Sequence, residues 1–221
     1  MTRTARELLE TATERLAPDP HANRLLPLIA RGAARPATLA ALAAEQRDVI
    51  ASDRRAFQHL AERCGDQPAC ADFFTALTEA EAVAQDRLGA YAAACQEETP
   101  AGYEPMADCQ GYAAYVAWLA LNGEPADVVL ALSANFATWG DYCARIAQAL
   151  RDCYGFTDEA CAFFDLFAEP SPDLDRKASA AIQEALDADR LNEERAHRYG
   201  RLLQNHETSF WHALWELDGK G

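Results

Sequence analysis

The sequence predicts an all-α protein, with residues 1–221 forming a single domain of eight or nine helices. Three observations carry this expectation. Alanine is abundant while valine and isoleucine are scarce, a bias towards helix formers and away from strand formers. No run alternates apolar and polar residues for long enough to make a strand. Proline and glycine fall where helical stretches begin and end. A chain of this length can bury one full-sized core.

The elements follow in order. A first helix covers about 3–16 and is stopped by "APDP". A second runs about 20–31 and closes at Gly32. Pro36 suits the first turn of a long helix, about 36–63, closed by Gly65. Asp66 and Pro68 open a fourth, about 68–96, before the loop "QEETPAGYEP". The fifth, about 106–122, stops at Asn122–Gly123, and the sixth runs from Pro125 to about 153, near Gly155. A short seventh covers about 157–168, "AEPSPDLD" breaks the chain, and helices of about 172–187 and 190–217 complete it. There is no internal repeat and no low-complexity linker.

Composition excludes some functions. The formal charge is −15, and no basic run exceeds the Arg54–Arg55 pair, so no nucleic-acid partner is expected. No stretch approaches the roughly 18 uncharged apolar residues of a membrane span. The acidic start "MTRTARELLETATERL" resembles neither a signal nor a transit peptide, and a cytoplasmic location is expected. The seven cysteines lack CxxC spacing and are expected as free, mostly buried thiols. A Cys64–Cys70 bridge across "CGDQPAC" stays open as the alternative.

Three helices hold polar groups on apolar faces. In "LLQNHETSFWHALWEL", Tyr199, Leu203, Glu207, Phe210, Trp211 and Leu214 share one stripe. Burying the Glu207 carboxylate among rings is costly unless it is paired, hydrogen-bonded or protonated. The sixth helix is apolar on nearly every side in its first half, which predicts a central position. Its stripe of Ala131, Leu132, Asn135, Trp139, Tyr142 and Ile146 contains an amide, an indole N–H and a phenol, all requiring partners if buried. The fifth helix presents Tyr112, Tyr115, Val116 and Leu119, with Trp118 to one side. Such facing polar groups predict a small-molecule cavity between helices.

With these residues in view, a resemblance emerges. The segments "LIARG…P…LAALAAEQ", "YAAYVAWLALNGEPADVVLALSANFATW" and "HETSFW" resemble the TenA/thiaminase II family of the haem-oxygenase-like superfamily, from about Ala22 to Leu217. The resemblance implies a haem-oxygenase-like bundle, a buried pocket and a homo-oligomer, either dimer or tetramer. It implies that Glu207 is the family's acid/base glutamate and Tyr112 a pocket tyrosine, with Tyr115 close by. The family's nucleophilic cysteine position falls on Asn135, after Ala134, and a pocket tyrosine position falls on Trp139. The family's Gln-Asp pair falls on Gln46–Arg47, with Asp48 one place displaced and Glu45 on the other side. An amide cannot replace a thiolate as nucleophile, and Cys143 lies two turns further on, about 12 Å along the axis.

The expected function is therefore binding, and transformation, of a small aromatic or hydrophobic metabolite by cofactor-independent acid/base chemistry. Glu207 is the expected catalytic group. Tyr112, Tyr115, Asn135, Trp139, Gln46, Arg47, Asp48 and Phe210 are the expected binding residues. Arg47 would favour an anionic or carbonyl-bearing ligand, while Phe163 and Phe164 would cover the pocket or simply pack. No metal is expected: Glu194/His197 and His206–Glu207 supply too few ligands for a di-iron centre, and His21, His59 and His212 are scattered. The alternatives are a non-catalytic ligand-binding or regulatory protein, aminopyrimidine hydrolysis through Cys143, and a di-iron oxidase.

Overall fold

Proline sets the start of five helices, because its fixed φ and missing N–H suit only the first turn. The computed structural model describes residues 3–95 and 103–220. Among these residues there are nine helices and no strand: α1 (Ala5–Leu16), α2 (Leu26–Ala30), α3 (Pro36–Arg63), α4 (Pro68–Ala94), α5 (Ala107–Asn122), α6 (Pro125–Tyr154), α7 (Asp158–Ala168), α8 (Pro172–Asp187) and α9 (Glu193–Gly219). None is long and apolar enough to cross a membrane. The expected end of the fourth helix at 96, and most of the loop after it, lie outside the described residues.

Two expected elements change. The second helix is one short turn rather than a run of 20–31, because Asn23 turns the chain just before it. The Asn23 Oδ1 accepts from the Leu26 amide at 2.9 Å, and Pro27 fixes the first turn. The ninth helix starts at Glu193, not 190. Asp189 takes a left-handed φ of 53°, and the Asn192 side chain caps α9 by accepting from the Arg195 amide at 2.9 Å. Thr4 and Glu7 form a reciprocal capping box on α1. Gly155 ends α6 at φ 70°, and the Phe156 amide then reaches back to the Leu150 carbonyl at 3.0 Å.

α6 is the axis of the bundle. Its first eight residues, Pro125 to Leu132, are all buried, and α1, α2, α4, α7, α8 and α9 pack around it. α9 follows the same direction: Asp127 accepts from the Asn192 amide at 2.8 Å and pairs with Arg195, while Tyr142 lies edge-on to Trp211 further along. α5 runs antiparallel to α9, with Cys109 beside the Phe210 carbonyl and Trp118 against Tyr199. The two approach closely at Gly111, where a Cβ would stand 3.1 Å from His206 Nδ1.

The apolar interior divides into two clusters, one containing Val49, Ile50, Phe210 and Trp211, the other Leu60, Phe73, Val128 and Leu203. Tyr112 packs against both. At the α3–α4 turn, Cys64 and Cys70 are free thiols with their sulfurs 3.0 Å apart. Cys153 is the exposed exception among the seven.

Glu45, fully buried on α3, staples the start of α5. It accepts from the Tyr103 hydroxyl at 2.6 Å, the Met106 amide at 2.8 Å and the Gln110 amide at 2.5 Å. Replacing Glu45 with alanine leaves those three donors without a partner, and is expected to cost about 3 kcal/mol of stability. Urea denaturation checks this; an unchanged midpoint would show that water can replace the carboxylate.

Candidate functional site

Three helices converge on Glu207. The carboxyl sits mid-α9 on the apolar stripe and is 8 % exposed. The Asn135 side-chain amide on α6 donates to its Oε2 at 2.6 Å, and the Trp211 indole N–H reaches its Oε1 at 3.4 Å. The Tyr112 hydroxyl on α5 donates to Asn135 Oδ1 at 2.9 Å. The chain of donors therefore has a direction, from phenol to amide to carboxyl. Tyr112 holds the amide oxygen and so turns the amide N–H towards Glu207. Burial lifts the Glu207 pKa from an ordinary 4.5 to about 7, against the opposing hydrogen bonds from Asn135 and Trp211. Burial, together with nearby acidic groups, also pushes the Tyr112 phenol well up, keeping it a neutral donor.

These groups border a cavity of about 70 Å³, space for a few waters or a small organic fragment. Its floor is Gln46, Val49, Ile50 and Asp53 from α3, one face at helical spacing. Glu81 comes from α4, and Phe136 and Trp139 join Asn135 from α6. Phe167 on α7 meets Trp139 edge-on, with ring centres 5.8 Å apart, and Phe210 closes the α9 side.

Of the residues expected here from sequence, Glu207, Tyr112, Asn135, Trp139, Gln46 and Phe210 are brought together. Three are not. Arg47 and Asp48 are exposed, because Gln46 faces inward and the next two positions turn about 100° and 200° away. The case for an anionic ligand held by Arg47 loses its geometry. Tyr115 points away from the cavity and stacks on Trp118, ring centres 5.7 Å apart and nearly parallel, with His206 on its flank. Phe163 and Phe164 are fully buried and pack with Tyr91 and Phe167 rather than lining the space. Cys143 is buried without lining the cavity, and burial and the Glu207 charge push its thiol well up, the opposite of a nucleophilic thiolate.

Sequence reasoning missed Asp53 and Glu81. Asp53 could have been found one helical heptad beyond Gln46; nothing local marks Glu81. Asp53 is 4 % exposed, and its Oδ1 has no hydrogen-bond partner among the described residues. Burial raises its pKa, and raises that of Glu81, which the Asp53 charge lifts further. No Lys, Arg or His lines the cavity among the described residues. Nor do those residues bring three His, Cys, Asp or Glu side chains into a group able to hold a metal. Glu194 is exposed while His197 is buried, and His212 is exposed.

A carboxyl with a raised native pKa binds more protons folded than unfolded, so its contribution to stability falls as pH rises between the two values. For Glu207 that window is 4.5 to about 7. The folded state is expected to lose on the order of 3 kcal/mol across it from this group, and Glu207→Gln to flatten the slope by that amount in urea unfolding from pH 4.5 to 8. Equal slopes would mean that Glu207 is hydrated. Asn135→Leu removes a donor to the carboxylate and is expected to raise the Glu207 titration midpoint by about one pH unit, read from the fluorescence of the adjacent Trp211. No protein-family model matches this chain, and no curated protein matches it significantly.

Proposed function

We propose that this chain is a divergent TenA-like protein that binds a small aromatic or apolar metabolite and transforms it by metal-independent acid/base chemistry at Glu207. The observation that carries the reading is the Glu207 carboxyl, its pKa near 7, facing an aromatic cavity and held by the Asn135–Tyr112 relay. A group titrating near neutral pH has both protonation states populated, which suits it to take a proton from one ligand atom and return it to another. The aromatic lining supplies binding area and excludes water, strengthening electrostatic interactions at the carboxyl.

Asn135 cannot act as a nucleophile, and Cys143 is walled off, so covalent hydrolysis has no evident attacking group on this wall. The Tyr112 hydroxyl and the Asn135 amide would orient the carboxyl and, through it, the ligand.

The test begins with small molecules that co-purify with the protein, identified by mass spectrometry and returned to the purified chain. Turnover is expected to show a pH limb near 7. Glu207→Gln should abolish that limb and lower the rate by about 10²–10⁴-fold, while keeping most of the affinity. Binding without turnover in the wild type would establish a ligand-binding protein instead. A rate unaffected by Glu207→Gln would remove Glu207 from the chemistry.

A further inference from the structure

Glu207 is not the only acid on the cavity, and the second acidic group is of a different kind. Asp53 and Glu81 face each other from the antiparallel α3 and α4, both lining the space. Glu207 has donors from Asn135 and Trp211, whereas the Asp53 Oδ1 is buried without a hydrogen-bond partner among the described residues. Leaving such an atom without a partner costs about 1–3 kcal/mol. Glu45, on the same helix, is by contrast met by three donors, and of the orphaned buried polar atoms Asp53 Oδ1 is the one on a residue that lines the cavity, among the described residues.

The surroundings restrict what can fill that place. Around the pair stand Tyr112 from α5, Asn135 from α6 and Glu207 from α9, with no cationic side chain lining the space among the described residues. An anion would meet three carboxyl groups and nothing of opposite charge. A cation would meet the acid pair and, on the same lining, Trp139, Phe136 and Phe210, and aromatic rings attract ammonium groups. The net charge of −15 over the chain draws cations towards it from solution.

We propose that the Asp53–Glu81 end of the cavity is the seat of a protonated amine, so that the ligand is a small organic cation with an apolar or aromatic body. This rests on the small-molecule reading above and adds the chemical class. The ammonium N–H groups would donate to Asp53 Oδ1 and to a Glu81 oxygen. Both acids are lifted by burial, so the pair gives up one proton to solvent as the cation arrives. The seated state is one ammonium, one carboxylate and one carboxylic acid, with the amine bonds unchanged. Glu207, on α9, lines the same cavity.

The experiment titrates the full chain with benzylamine, benzyl alcohol and benzoate by calorimetry, in buffers of differing ionisation enthalpy, at pH 6 and pH 8. Benzylamine is expected to bind at least tenfold tighter than the alcohol at pH 8, and benzoate not to bind. About one proton should be released per amine at pH 6 and less at pH 8, so amine affinity rises with pH while alcohol affinity stays level. Asp53→Asn, which preserves shape, should remove the proton release and the amine preference, so that amine and alcohol bind alike. The wild-type proton count stands as evidence even if that variant fails to fold. Equal affinity for amine and alcohol, preferred binding of benzoate, or an amine preference that survives Asp53→Asn overturns the cation seat alone. Failure of all three probes to bind overturns both it and the small-molecule reading.

Discussion

A carboxyl group at the centre of an apolar helix face has to be met by donors from neighbouring helices, and the packing of α5, α6 and α9 is consistent with that demand. Asn135 can reach Glu207 only if α6 and α9 run in the same direction at a fixed register. The Asp127 contacts to Asn192 and Arg195 hold that register from one end. Tyr112 can reach Asn135 only if α5 lies close, and Gly111 permits the approach to α9. An amide is well suited to the middle place. It donates with one end and accepts with the other, so it passes orientation from phenol to carboxyl without carrying charge.

The chain contains an internal contrast between two inward-facing glutamates on helices, Glu45 and Glu207. Glu45 is met by three donors and does not line the cavity. Glu207 has one short hydrogen bond and one long one, an open face, and a proton affinity moved into the neutral range. Asp53 goes further, with an oxygen on the same space that has no hydrogen-bond partner among the described residues. Buried acids with spare hydrogen-bonding capacity on one hollow are the feature on which the proposed small-molecule site rests.

Much of this was legible in the residues. Helix count and most boundaries follow from proline, glycine and capping positions, and the central placement of α6 follows from its all-round apolar start. Glu207, Asn135, Tyr112 and Trp139 were readable because each interrupts an apolar stripe at helical spacing. The second helix was not, since residues 20–31 look helical until Asn23 is seen to turn the chain before Pro27. Arg47 and Asp48 were misplaced because three consecutive residues cannot share a face, and only the register of α3 decides which one turns in. Tyr115 shares a sequence stripe with Tyr112, yet a three-residue step rotates it far enough to join Trp118 instead. Glu81 was invisible: its partner Asp53 lies 28 positions away, and only the α3–α4 hairpin makes them neighbours.

The division of the apolar interior into two clusters, bridged by the Tyr112 ring, has a mechanical consequence. The hollow lies where the two meet, taking Val49, Ile50 and Phe210 from one cluster and Phe136 from the flank of the other. Shortening the Tyr112 ring would therefore remove packing from both groups at once.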